Sequence, residues 1–433
     1  MNLGWCAPQV HTFPVAPGSA WISEGREEGS VDEAKALGRR VRELRCWRGL
    51  TLREAAGLAG LSFSFWGQVE RGDKAVTKRS TLEAFASALR VHPTELTGQP
   101  WTSQDPTSAD AHAGLMGIET ALERYELGID PGLTVRAWPQ IQADLDRLVY
   151  LHHHVVDYSA VSALAPMLIG ELQSAYVRLP QRRQEVLLGL IQAHRVAMRI
   201  TKDLGDRGLP MVAVRAVRQC AEALEDPVWL GCASVTRGYA TGEVDRAGQY
   251  RRSVAAAENL TSRLDSSEAL QTCGMLHLMA ATAAGARGDH DTSATHLAEA
   301  SALATRMDTE VGTWGTLFFG RTAVGIYRTS LALEVGEHGQ ALEAAKTVHP
   351  ELLPERQAAF FWIEVGRTLV ARKKTRDKGV HVLLHAEQVA PHRIRTDPIV
   401  RETVAGLLGQ ARRDAGGREL RRLAWRMGIA PGG

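Results

Sequence analysis

The 433-residue sequence predicts an all-α protein in which five short helices precede a long stack of helix pairs. From Glu33 onwards, apolar residues recur at spacings of three and four, which is the period of an amphipathic helix. Alternating β-branched runs, which are typical of strands, are few. A turn pattern also recurs at intervals of 37 to 49 residues, which indicates repeated helix pairs.

Composition and charge exclude several classes of protein. The chain has 51 Lys and Arg against 49 Asp and Glu, so it is not a globally basic binder. It has no run of about 18 apolar residues and no N-terminal basic region followed by an apolar one, so we expect neither a membrane span nor a secretory signal. Five widely spaced cysteines without a CxxC pair favour a reducing cytoplasm over disulfides or a zinc knuckle.

The charge is unevenly distributed. Residues 31–100 carry twelve bases and eight acids, and residues 393–433 carry nine bases and four acids. The segment between them is net acidic. This asymmetry indicates that only part of the chain meets a polyanion.

Residues 1–30 mix Pro, Gly, Trp and Ser without a period, which predicts disorder. The run from Arg26 to Ser30 also permits a second interpretation. Codons for Glu-Glu-Gly resemble a ribosome-binding sequence, so translation starting at Val31 would make residues 1–30 a mis-annotated extension. Both alternatives stay open.

The pattern of apolar residues, caps and turns over residues 31–97 predicts the five-helix domain. Leu37, Val41 and Leu44 share one face of its first helix. The predicted boundaries are Gly49 as the end of the first helix, Thr51 and Ser62 as N-caps of the second and third, Thr81 as the start of the fourth, and Val91, Pro93 and Leu96 within a short fifth.

Two short helices joined by a glycine-containing turn form a helix-turn-helix. Ala56 permits close approach of the second and third helices, and Gly60 permits the turn between them. Leu61, Trp66 and Val69 are predicted to point inward. The opposite face of the third helix is then left for solvent or for DNA.

This segment resembles the XRE-type, lambda and Cro repressor-like helix-turn-helix family. The resemblance rests on residues that match in register across all five helices: Leu37–Arg45, Gly49–Thr51, Ala56, Gly60–Ser62, Val69–Gly72, Leu82, Ala86, Leu89, Val91, Pro93 and Leu96. It implies a lambda-repressor-like DNA-binding domain whose third helix enters the major groove of double-stranded DNA.

The resemblance also implies residue roles. Phe63, Ser64 and Gln68 would face base edges, with Gln68 on adenine and Phe63 on a thymine methyl. The implied phosphate contacts are Arg45, Ser62, Lys74, Lys78 and Arg79.

One departure weakens these roles. The family usually has a phosphate-binding Gln after the Thr that caps the second helix, and here that position is Leu52. Phe63 and Phe65 are also apolar for a DNA-binding face. A degenerate module that docks onto protein through buried phenylalanines is the alternative.

Residues 98–108 are rich in Gly, Pro, Ser and Thr and predict a linker, after which helices are expected over 109–127 and 138–156. Through the segment 109–392, small or apolar residues follow each turn at positions five, eight and twelve. The sets are Pro210, Ala213 and Val217 after Gly205; Ala247, Tyr250 and Val254 after Gly242; Ser293, His296 and Ala300 after Gly288; Ala341, Ala344 and Val348 after Gly336; with weaker sets after Val156 and Lys374. This pattern resembles degenerate tetratricopeptide repeats, which stack into an α-solenoid; generic antiparallel helix pairs are the alternative.

Residues 393–433 predict two capping helices, about 398–414 and 417–427, with a basic surface that includes Arg412, Arg413 and Arg426. We favour a solvated outer face over a second DNA contact. The cysteines are expected to be small core residues.

No catalytic motif stands out, and we expect no cofactor and no enzymatic activity. There is no Walker loop, GxGxxG after a strand, GxSxG or HExxH. In His152-His153-His154 only His153 shares a helical face with Asp157, so we expect no metal site.

Together the two regions resemble peptide-sensing regulators of Gram-positive bacteria and, more closely, long XRE regulators of actinobacteria. They indicate a cytoplasmic transcriptional regulator that binds DNA as a homodimer and receives a peptide or small-molecule effector in the repeat groove. An interaction scaffold, an enzyme hidden in the helical body and a prophage repressor are the rivals.

Overall fold

The computed structural model describes residues 36–99, 106–411 and 418–429, and this part of the chain is all-α, as predicted. Residues 1–30, most of the predicted linker, and Arg412 and Arg413 lie outside the described residues. The head, residues 36–99, has five helices: α1 Ala36–Trp47, α2 Leu52–Leu58, α3 Phe63–Glu70, α4 Arg79–Ala88 and α5 Pro93–Thr97.

Local chemistry sets the predicted ends of the first three helices. Gly49 and Gly60 have φ of 67° and 64°, a region in which glycine carries no Cβ penalty. Thr51 and Glu54 form a reciprocal capping box at the start of α2, and the Ser62 hydroxyl accepts from the backbone N–H of Phe65 at the start of α3. The predicted start of α4 at Thr81 was wrong, because the helix begins two residues earlier.

The head packs around the middle of α3 and the second half of α4. The ring centroids of Trp66 and Phe85, both fully buried, are 4.4 Å apart. A Cβ on Gly38 would lie 2.1 Å from the carbonyl oxygen of Val69. Only glycine therefore allows α1 to approach α3 this closely.

The body contains sixteen further helices within the described ranges. They are α6 Pro106–Glu123, α7 Trp138–Tyr150, α8 Tyr158–Arg178, α9 Arg183–Asp203, α10 Leu209–Ala223, α11 Pro227–Thr241, α12 Arg246–Glu258, α13 Ser267–Ala286, α14 His290–Thr305, α15 Arg321–Val335, α16 His338–Ala345, α17 Glu355–Val370, α18 Arg376–Val389, α19 Pro391–Arg395, α20 Pro398–Ala411 and α21 Arg418–Arg426. Successive helices pack as hairpins, and the hairpins stack with apolar clusters between them.

The predicted turn glycines mostly act as expected. Gly205, Gly288 and Gly336 have positive φ, and each ends a helix before the chain reverses. Buried side chains follow at the predicted positions, for example Ala213 after Gly205 and Ala341 after Gly336.

The prediction for the Gly242 hairpin was wrong in its register. Gly242 keeps right-handed helical dihedral angles, and α12 is instead capped by Asp245, which accepts from the backbone N–H of Gly248 at 2.7 Å. The buried side of this helix is therefore Gly248, Gln249, Ser253 and Ala257, and the predicted Ala247, Tyr250 and Val254 are only half-buried.

The triple histidine lies in a π-helical turn, Leu151–Val155, directly after α7. His152 and His153 are buried, whereas His154 is exposed. Across the described ranges, no group of three or more His, Cys, Asp or Glu is placed to hold a metal ion.

The C-terminal pair packs its apolar face on the last body helices, and Arg426 forms an ion pair with Glu387. Cys220, Cys232 and Cys273 are buried, as predicted, whereas Cys46 is exposed. None of the described helices is long and apolar enough to cross a membrane.

Candidate nucleic-acid interface

The side chains predicted to read bases lie on the outer side of α3. Phe63 is 55% exposed, Ser64 is also exposed, and Gln68 is half-buried one turn further on. None of these three forms an ion pair or side-chain hydrogen bond with those residues of the body that the structure describes. The N-terminal half of α3 is therefore presented to solvent.

The two phenylalanines of α3 have different surroundings. Phe65 packs against the head core, with its ring 6.4 Å from that of Phe85, and the Lys74 ammonium lies 5.0 Å from the Phe65 ring centroid. Phe63 remains on the surface. Of these two phenylalanines, only Phe63 therefore adds apolar surface to the outer side of α3.

Arg45 lies inside the head and not on its rim. Its guanidinium donates to both carboxylate oxygens of Glu70, at 2.6 and 2.9 Å, and to the Leu50 carbonyl oxygen at 2.8 Å. The indole N–H of Trp66 donates to the same carboxylate at 2.6 Å. Hydrogen bonding to Glu70 raises the pKa of Arg45. In this arrangement Arg45 joins α1 to α3.

Three other predicted phosphate contacts are at least partly accessible. Lys74 and Ser62 are exposed, and Ser62 also caps α3. Lys78 is half-buried, and its Nζ lies 3.6 Å from where a Cβ on Gly336 would be. Lys78 therefore faces the body, whereas Lys74 and Ser62 face solvent.

Arg79 forms the centre of the contact between head and body. Its guanidinium donates to both oxygens of Glu364, at 2.8 and 3.2 Å, and Glu364 is fully buried on α17. Arg367 donates to the same carboxylate at 3.0 Å. Burial opposes ionisation, but the charges of Arg79 and Arg367 prevail and lower the pKa of Glu364 to about 2.

A second body carboxylate caps a head helix. Lys78, at the N-cap of α4, makes no side-chain capping bond. Glu334 instead accepts from the backbone N–H groups of Arg79 and Ser80, at 3.4 and 3.3 Å, and from the Ser80 hydroxyl at 3.1 Å. Negative charge at a helix N-terminus is stabilising, so the body completes α4.

Further contacts surround this centre. Arg246 of the body forms an ion pair with Glu83, and Arg207 forms one with Glu95. Ile399 from α20 joins the apolar core of the head. The ion pairs and hydrogen bonds among these contacts use α4, α5 or the loop before α4, and none of them uses the outer side of α3.

Comparison with known proteins supports the nature of the head. Residues 36–97 match a family model described as a helix-turn-helix domain, which covers α1 to α5 but less than half of the chain. The protein therefore carries a helix-turn-helix domain. A comparison with curated proteins finds no match. Among solved structures, the apo form of the competence regulator ComR from Streptococcus vestibularis is similar over 82% of this chain and 99% of that chain, at 10% identity and a TM-score of 0.29. A likeness at that score is too weak to support a conclusion about function.

Sequence reasoning missed the acidic residues that organise this region. Glu70 was recognised only as one of the residues that match the family pattern. Its ion pair with Arg45 was not predictable, because the two residues are 25 positions apart in the sequence. Glu334 and Glu364 had no sequence signal, because their partners in the head lie more than 250 residues away.

Proposed function

We propose that this protein is a cytoplasmic, sequence-specific DNA-binding transcriptional regulator. The observation that supports this proposal most is the exposed outer side of α3 within a helix-turn-helix domain. Gln68 and Ser64 offer hydrogen-bonding groups to base edges, and Phe63 offers an apolar surface to a thymine methyl. Lys74 and Ser62 supply phosphate contacts on the exposed side of the head.

Arg79 and Lys78 contribute only after the head has moved away from the body. Both face the body here, and Arg79 is held by two carboxylates. The regulator therefore has a docked arrangement with two cations withheld and a released arrangement with them available. An effector changes DNA affinity only if it binds these two arrangements differently.

The regulator acts as a homodimer on a two-fold operator whose half-sites are about one DNA turn apart. The helical body dimerises and receives a peptide or small-molecule effector on its inner side. Light scattering of the purified chain, together with the spacing of selected half-sites, tests both parts of this proposal.

In vitro selection from random duplex DNA tests DNA recognition itself. We expect enrichment of a palindromic motif, and a mobility shift with the region upstream of the gene. A matched comparison uses Ser64→Ala on α3 and Ser267→Ala at the start of the distant α13. Only the first change should alter the selected motif, and failure of the wild-type protein to enrich any motif would refute the proposal.

An interaction scaffold with a degenerate head is the second candidate, because Arg45 and Arg79 are both engaged by carboxylates. Leu52, which stands where the family has a phosphate-binding Gln, packs against the head core. A protein that selects no DNA motif but retains partner binding would favour this candidate.

A further inference from the structure

A large cavity lies between the head and the inner side of the body. Its volume is about 1520 Å³, and its walls come from α4 and α5 on one side and from α9, α11, α13, α15 and α17 on the other. Pockets for drug-sized molecules measure roughly 300–1,000 Å³, so this space is ample for a small-molecule ligand.

Two guanidinium groups on α9 line the cavity without a carboxylate partner. Arg199 lies 4.1 Å from the Tyr239 ring centroid and forms no hydrogen bond or ion pair with any residue for which the structure gives a position. Arg195, one turn earlier, donates to the Thr316 hydroxyl at 3.0 Å and to the Gly315 carbonyl oxygen, which are both neutral. Like charges four residues apart on a helix repel each other, and neither guanidinium forms an ion pair with a described carboxylate.

Neighbouring carboxylates relieve this charge only in part, because each of them forms an ion pair with another cation. Lys202 pairs with Glu243 at 3.0 Å, and Arg356 pairs with Asp203. Burial, together with the charge of Arg356, lowers the pKa of the Arg199 guanidinium. Arg199 is thus a cation whose stabilisation by the Tyr239 ring and by the charge of Asp203 is outweighed by burial and by the charge of Arg356.

Unpaired polar atoms line the same space. His152 is 3% exposed, and its Nδ1 has no hydrogen-bond partner; the Oε1 atom of Gln357 is also unpaired. Burial and the charge of Arg356 hold the pKa of His152 well below its usual range, so the ring is neutral. Orphaned buried polar atoms in a roomy cavity indicate a polar occupant.

The cavity lining also includes apolar and aromatic side chains. They are Met275, Met279, Leu317, Phe318, Ile326 and Tyr327. Methionine and aromatic side chains adapt to irregular apolar shapes. The cavity therefore combines guanidinium groups that lack an ion pair with apolar surface.

We propose that this cavity binds a small molecule that carries an oxyanion, a carboxylate or a phosphate, on an apolar body. Arg199 and Arg195 bind the oxyanion, and the methionine and aromatic wall covers the apolar part. This inference rests on the proposed function in one respect, because it takes the bound molecule to be the effector of the proposed regulator and names its chemical class. The lining of the cavity includes residues of both the head and the body.

Calorimetric titration of the full chain without DNA tests this site with four probes: decanoate, decyl phosphate, decanol and inorganic phosphate. We expect saturable binding of one molecule of decanoate or decyl phosphate, and the stronger of the two identifies the oxyanion. Decanol lacks the charge, and inorganic phosphate lacks the apolar body, so both should bind at least about tenfold more weakly.

Arg199→Gln should weaken the amphiphilic anion by about 10- to 100-fold, because one charged hydrogen-bonding group is lost. Arg251→Gln, on an exposed part of α12, is the control and should bind like the wild type. Arg199→Gln should leave the melting temperature of the ligand-free chain close to that of the wild type, since Arg199 forms no hydrogen bond or ion pair with a described residue, and this excludes misfolding. Equal binding of decanol, wild-type binding by Arg199→Gln, or no binding of either anion would overturn the proposal. Loss of DNA selection with intact anion binding would instead refute only the proposed function.

Discussion

The buried carboxylate of Glu364 offers the most direct test of how the head is held. Glu364→Gln keeps the shape of the side chain and removes its charge. Arg79 and Arg367 then keep Glu334 as a charged partner, with oxygens 3.8 Å from Arg79 and 3.0 Å from Arg367, and Arg79 keeps the attraction of Asp397. Removing one partner of a buried ion pair typically costs about 3–5 kcal/mol.

The pKa of Glu364 gives a second figure for the same contribution. It falls from 4.5 to about 2, and each unit corresponds to about 1.4 kcal/mol, so the paired charge contributes about 3 kcal/mol. Because the folded pKa is depressed, this contribution is fully present above about pH 4.5 and is lost as the pH falls through about 2. The glutamine variant should lack this part of the acid dependence.

Urea unfolding at neutral pH, repeated towards pH 3, measures both effects, and hydrogen exchange of residues 76–90 locates the change. Glu343→Gln is the matched control, because it breaks an exposed ion pair with Lys346 and should cost less than about 1 kcal/mol. If Glu364→Gln resembled this control in stability, acid dependence and exchange, the head would not be held by buried charge.

Three further predictions concern the head. Gly38→Ala should destabilise the head by about 3 kcal/mol or more, since the new Cβ meets the Val69 carbonyl oxygen. Gly57→Ala, on the open side of α2, should instead stabilise the head by up to about 1 kcal/mol. Thermal unfolding compares the two variants, and equal effects would contradict the close approach of α1 and α3. Gln68→Ala should relax base preference by about 1–3 kcal/mol at one operator position, measured by competitive selection, and an unchanged preference would place Gln68 outside the groove. Lys74→Gln should weaken all DNA alike and reduce the salt slope by about one; a wild-type slope would make Lys74 a bystander.

Much of the fold was predictable because its causes are local. The caps at Thr51 and Ser62 and the turn at Gly60 depend on residues within about one helical turn. The helical period likewise records which face of each helix is buried. Where the local signal was ambiguous the prediction failed, as at Gly242, where Asp245 caps the next helix instead.

The candidate interface was only partly predictable. The sequence indicated which side of α3 is outward, because Trp66 and Val69 mark its buried side. It did not indicate that Arg45 forms an ion pair with Glu70, since the sequence pattern is the same whether an arginine contacts a phosphate or a carboxylate.

By itself, then, the sequence determined the all-α class, the helix-turn-helix and the hairpin character of the body, since these follow from periods and turns of a few residues. Only the tertiary structure decided that Arg79 meets Glu364, that Glu334 completes α4, and that Arg199 lines a cavity without an ion pair to any described carboxylate. The physical reason is distance along the chain: Arg79 and Glu364 are separated by 285 residues, and no local period encodes which buried charges will meet.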